Sequence, residues 1–131
     1  MEHHTISNKD FHSNQVGRGI WHLWHSIGFS AKTTHDISIL YEIILMYNTV
    51  IRCEECREHS NQYIAITHDS LYATLTNFNL TDSEIIEYFN RWLYEYHKHA
   101  NIHAKLTSPS YEDVAEYYLN FESCKECSIN K

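Results

Sequence analysis

The chain has 131 residues and a formal charge of −7, with 17 acidic against 10 basic residues, ten tyrosines, three tryptophans, three glycines and one proline. That length gives a single domain with one core and no room for a separate cofactor domain, and the acidic balance argues against a phosphate-backbone binder, which gathers Lys and Arg on one face. The longest apolar run, 37–47, is broken by Glu42 and falls far short of the roughly 20 residues needed to span a bilayer, so neither nucleic acid nor membrane is expected as a partner.

Residues 1–13 are polar and His-rich and read as a leader outside the fold. They carry neither a charged-then-apolar secretion signal nor an Arg-rich amphipathic presequence. From Val16 to Phe29 the apolar residues Val16, Ile20, Leu23, Trp24 and Ile27 recur at three- and four-residue steps, which marks a helix face. A second helix is expected from about Thr34 to Val50, with Ile37, Leu40, Tyr41, Ile44, Leu45 and Asn48 on one side and Thr34 or Asp36 as cap.

A third helix is expected from Cys53 to about Thr67, which puts Cys53-Glu54-Glu55-Cys56 at a helix N-terminus. The macrodipole there stabilises a thiolate. Glu54 and Glu55 then read as a solvated helix start. After a polar connector at 77–80, Thr81-Asp82-Ser83-Glu84 is an N-cap signal. The helix it opens runs through Ile85, Ile86, Phe89, Trp92, Leu93, Tyr96 and Ala100 to about Ala104. Past Pro109, a short helix over Tyr111 to Leu119 precedes a tail, 121–131, that carries Cys124-Lys125-Glu126-Cys127. The expectation is an all-α domain over 14–120, a four-helix bundle with a short fifth helix.

All four cysteines fall in the two Cys-x-x-Cys pairs. That spacing suits a redox disulfide on a helical turn or two thiolates on one metal. The absence of a secretion signal favours catalytic or metal-bound thiols over structural staples.

Three motifs, in order, decide between them: Gly17-Arg18-Gly19-Ile20-Trp21-His22-Leu23-Trp24-His25, Cys53-Glu54-Glu55-Cys56-Arg57-Glu58-His59, and Trp92 followed by His97-Lys98-His99-Ala100-Asn101. Over 17–118 the chain resembles the Erv/ALR family of FAD-linked sulfhydryl oxidases. It departs from the family pattern at Trp24, Arg52, Lys98 and Ala100. The resemblance implies an FAD held within the bundle, with Gly17, Arg18, Trp21, His25, His59, Trp92, His97, Asn101, Lys105 and Tyr118 around it. Trp21 would pack on the flavin ring, His25 would lie beside the cofactor, and Tyr118 would stack on adenine.

It further implies that Cys56 faces the flavin, Cys53 exchanges with incoming thiols, and Cys124 and Cys127 form a shuttle pair. Electrons would pass from a protein dithiol to dioxygen, giving a disulfide and hydrogen peroxide. Thiols alone reduce dioxygen poorly, and a flavin does it well. By the exchange rules one sulfur of the inner pair should be accessible and the other shielded.

A homodimer through the apolar faces of the first two helices is implied as well. Residue usage rich in Ile, Asn, Tyr and Lys resembles that of family versions encoded by large DNA viruses. Such a version would work in the host cytoplasm or virion, with the mitochondrial intermembrane space as the other compartment.

The rival reading is a zinc-stabilised helical interaction module built on both cysteine pairs. The usual knuckle separation in such sites is roughly 15–20 residues, far shorter than here. A thioredoxin-like enzyme needs a βαβ pattern that this chain lacks. Trp21, Trp92 and Tyr118 also have the plainer reading of core packing. His99 and His103 are spaced for a metal, but no Cys or acidic third ligand follows in register.

Overall fold

A computed structural model describes residues 16–120, with side chains from Arg18 onward. The leader, 1–13, and the tail pair Cys124 and Cys127 lie outside the described residues. The described chain is all-helical, without a strand: α1 Val16–Ser30, α2 Thr34–Asn48, α3 Glu54–Leu75, α4 Asp82–His103 and α5 Tyr111–Leu119. Helix α4 packs against α1, α2 and α3, while α5 leans on α1, so the four longer helices form a bundle with a short fifth on its flank.

Cap chemistry explains the boundaries. Thr33, not Thr34 or Asp36, caps α2: its hydroxyl accepts from the Asp36 amide, and the Asp36 carboxylate accepts from the Thr33 amide. Asp36 is therefore the second half of a capping box. Thr81 and Glu84 make the same box at α4, as the sequence suggests. Helix α4 ends in a Schellman motif. The Leu106 amide donates to the Asn101 carbonyl, the Lys105 amide donates to Ile102, and Lys105 sits at φ 63°.

Two further expectations need correction. Helix α3 continues eight residues beyond Thr67, because 68–75 contains no breaker and Leu71, fully buried, and Leu75 extend its inner stripe. Thr67 lies mid-helix, where its hydroxyl accepts from the Trp92 indole at 2.9 Å. Leu23, expected on the inner face of α1, is exposed, since Trp24 and His25 take the buried positions.

The core gathers Trp24, Ile37, Leu40, Tyr41, Ile44, Ile64, Leu71, Phe89, Trp92, Leu93 and Tyr96. Burying side chains of this kind contributes about 1.5–3 kcal/mol each. One polar knot crosses it. The Asn48 amide donates to the Ile44 carbonyl and the Tyr96 hydroxyl, and Ser60 Oγ bonds to both Asn48 and Tyr96. The knot ties α2, α3 and α4 one turn beyond Cys56. At the α1–α4 crossing, the Asn90 amide donates to the Gly28 carbonyl at 3.0 Å. A Cβ on Gly28 would stand 2.3 Å from Asn90 Oδ1, so this close approach requires glycine.

Candidate functional site: a disulfide and a cleft at one end of the bundle

Cys53 and Cys56 are joined as a disulfide, Cα to Cα 5.1 Å, within the normal reach of the bond. Cys53 is the N-cap of α3, and its sulfur accepts from the Cys56 amide at 3.2 Å. The pair therefore sits at the positive end of a 22-residue helix, which lowers the free energy of a thiolate. Nearby, Arg57 Nη1 donates to the Ile51 carbonyl at 2.6 Å and braces the chain before the pair. Both cysteines are exposed. The expected split between an open and a shielded member of the pair is absent, and residues 52, 54 and 55 around it are exposed as well.

A cleft of about 380 Å³ lies between α4, α5 and α1, lined by residues that include His25, Tyr94, His97, Lys98, Asn101, Asp113, Tyr117 and Tyr118. That size is in the range of small-molecule sites, roughly 300–1,000 Å³. Its inner wall is a histidine pair, His25 Nε2 to His97 Nδ1 at 3.0 Å. Burial first, then His97 and His22 beside it, lower His25 to about 3, and burial lowers His97 to about 4. Both rings are neutral at pH 7.

One ring donates to the other, so His25 Nδ1 is left as either a bare acceptor or a lone N–H. It has no partner, and His25 is only 3% exposed. A buried polar atom without a partner is costly, and here it belongs to a residue of the cleft wall. Trp21 stacks on His97 at 4.1 Å and 2° and stiffens the wall from behind. Tyr118 closes the α5 side: its hydroxyl is 3.0 Å from His22 Nδ1, and its ring lies parallel to Phe29 at 5.7 Å. Asn101 Nδ2 donates to Ser108 Oγ at 2.9 Å, tying α4 to the loop that leads into α5.

Of the ten residues the resemblance implies around a cofactor, four line the cleft: His25, His97, Asn101 and Tyr118. Trp21 stands behind it. Trp92 belongs to the core, with its ring against Tyr41, Phe89, Tyr63 and Tyr96, so the packing reading describes its place. His59 is not in the cleft lining and instead stacks with His99 and His103. Arg18 and Lys105 are exposed, and Gly17 lies in the first turn of α1.

The sequence reading missed Tyr94, Lys98, Asp113 and Tyr117. For Tyr94 and Lys98 the signal was present: 94, 97, 98 and 101 are a single i, i+3, i+4, i+7 stripe on α4.

The disulfide and the cleft meet at the same end of α4. His97 and Asn101 face the cleft, while His99 and His103 contact His59, one turn after Cys56. These residues occupy two turns of α4, about 10 Å of helix. A run of rings crosses between them. Trp21 meets Tyr96 at 5.0 Å, Tyr96 stacks on Tyr63 at 5.3 Å, and Tyr63 lies 5.0 Å from His99.

FAD is the group that the resemblance implies here. A flat, polar-edged ring suits a cleft of aromatic and neutral imidazole faces with one unpaired nitrogen, so the residues fit the adenine portion of the group. Neither cysteine lines the cleft. Comparison of the chain with family models, curated proteins and solved structures finds no match.

Proposed function

We propose that the protein is an FAD-dependent thiol oxidase that forms disulfides in protein substrates. The observation that carries the reading is a closed, exposed Cys53–Cys56 pair on the first turn of α3, beside the stretch of α4 whose other side lines the cleft. When bound, FAD supplies two-electron acceptance and reaction with dioxygen. The chain supplies the rest. His25, His97, Asn101 and Tyr118 hold the adenine end, and the exposed pair receives the substrate thiol.

The incoming thiolate attacks Cys53, Cys56 leaves as thiolate at the helix N-terminus, and a second substrate thiol completes the exchange. In this proposal Cys124 and Cys127 bring electrons to the inner pair. A disulfide offers no thiolate to a metal, which is why the oxidase is preferred to the zinc-stabilised module.

The homodimer belongs to the same proposal. Ile39, Ile43 and Met46 form an exposed stripe on α2, continued by Val50 just past its end, and Leu23 on α1 is exposed as well. The test is reconstitution with FAD followed by addition of dithiothreitol. A yellow protein that releases hydrogen peroxide supports the reading, and a protein that stays colourless and inert rejects it.

A further inference from the structure

The rings of His59, His99 and His103 form a stack one turn from Cys56. The ring of His59 lies 4.5 Å from His99 and 4.0 Å from His103, with interplanar angles of 23° and 26°. His99 and His103 are one turn apart on α4, and His59 reaches them from α3. Stacked imidazoles turn faces rather than nitrogens toward one another. Among the described residues no group of three or more His, Cys, Asp or Glu is placed to hold a metal ion, so the cluster is not a ligand set.

Its position suggests another use. Cys56 and His59 are three residues apart on α3 and share a helix face, with Cβ atoms about 5–6 Å apart. Facing His59 are His99 and His103 from α4 and Glu55 from its own helix, while Tyr63, one turn further on, packs on His99. Partial burial, then His103 and His99, hold His59 below its ordinary value, against a smaller pull upward from Glu55. At neutral pH the ring is therefore an uncharged base next to the pair.

We propose that His59 is the proton acceptor of the Cys53–Cys56 pair, taking up a proton when the pair is reduced, with His99 and His103 as positioning residues for its ring. The proposal rests on the redox reading of the pair and adds a residue to it. In the exchange, a substrate dithiol gives up two electrons and two protons. A new S–S bond forms in the substrate as the Cys53–Cys56 bond breaks. One proton ends on Cys53 and the other on His59, which leaves Cys56 as a thiolate paired with an imidazolium. The imidazolium formed in the step holds Cys56 as its thiolate, so the reduced pair keeps a larger thiolate fraction with His59 present. Before reduction, the flanking imidazoles keep the ring unprotonated and ready.

The test needs neither FAD nor turnover. NMR titration of the full chain, oxidised and then reduced with dithiothreitol, should show the His59 midpoint rising by about one unit or more on reduction, a roughly tenfold change in proton affinity. Alkylation of reduced Cys56 by iodoacetamide, followed by mass spectrometry across pH, should slow about tenfold at pH 7 in His59→Gln. The exposed control His35→Gln should match wild type. Replacing both His99 and His103 by Gln should raise the His59 midpoint in the oxidised protein.

A His59 titration that is identical in the two redox states, or a His59→Gln alkylation profile that overlays wild type, overturns the proposal. A shifted profile in a protein that never turns yellow overturns only the oxidase. A pair that dithiothreitol cannot open overturns both.

Discussion

His25 and His97 set the behaviour of the cleft residue by residue. Their folded-state values, about 3 and about 4, lie below the ordinary 6.5, so the unfolded chain binds more protons than the folded one on mild acidification. Their contribution to stability is complete above pH 6.5 and is lost as pH falls toward 4, by up to about 1.4 kcal/mol per pH unit for each histidine. Urea melts at pH 7.5 and pH 5.0 should show the lower pH less stable, and His25→Phe should flatten the difference. Equal stability at both pH values would mean that the pair is not buried neutral. If the protein is the proposed oxidase, Cys56→Ser is expected to abolish turnover with every thiol, whereas Cys124→Ser should spare turnover with dithiothreitol. Equal loss in both would remove the shuttle role from the tail pair. Single residues were unevenly legible. His25, His97 and Asn101 were singled out by spaced motifs and Tyr118 by the resemblance, and all four line the cleft. Asp113 and Tyr117 were not singled out, because their contribution depends on how α5 folds back onto α4. The third member of the histidine stack comes from α3, so the pattern of α4 alone did not reveal it.

The helices owe their limits to a few capping groups, and those groups can be tested. Thr81→Ala removes the acceptor for the Glu84 amide and should cost about 1 kcal/mol. Lys105 occupies a left-handed conformation, φ 63°, which strains any residue with a Cβ. Lys105→Gly should therefore stabilise the protein by about 1 kcal/mol in thermal or urea unfolding. If Lys105 also serves the cofactor, as the resemblance implies, the same variant should bind FAD more weakly while melting higher. Unchanged FAD affinity would remove Lys105 from the site. Gly28→Ala, by contrast, forces Asn90 away from α1 and is expected to destabilise by about 1–3 kcal/mol. The start of α4 and both ends of α5 were readable, since Thr81, Glu84 and Pro109 are explicit punctuation. The end of α3 was not. Its last two turns carry only Leu71 and Leu75 on the inner stripe, a signal too short to separate helix from connector until His68 is seen packed on Tyr41 of α2.

At the scale of the molecule, the all-helical architecture of the described residues followed from helical periodicity, few glycines and a single proline, while the convergence of cleft and disulfide on one end of α4 required the fold. The exposed stripe of Ile39, Ile43 and Met46 gives the proposed homodimer a specific test. Light scattering should show wild type at twice the chain mass and Ile43→Asp at the single mass, with melting of the isolated chain little changed. A wild-type monomer at every concentration would refute the dimer. The central claim is that this bundle couples the Cys53–Cys56 pair to a bound flavin. The most direct measurement is the visible absorption of the FAD-reconstituted protein before and after anaerobic addition of one equivalent of dithiothreitol. The flavin band should bleach and return on admitting air, with one hydrogen peroxide released per dithiol. A bound flavin that stays oxidised, or a protein that takes up no flavin, would contradict the claim.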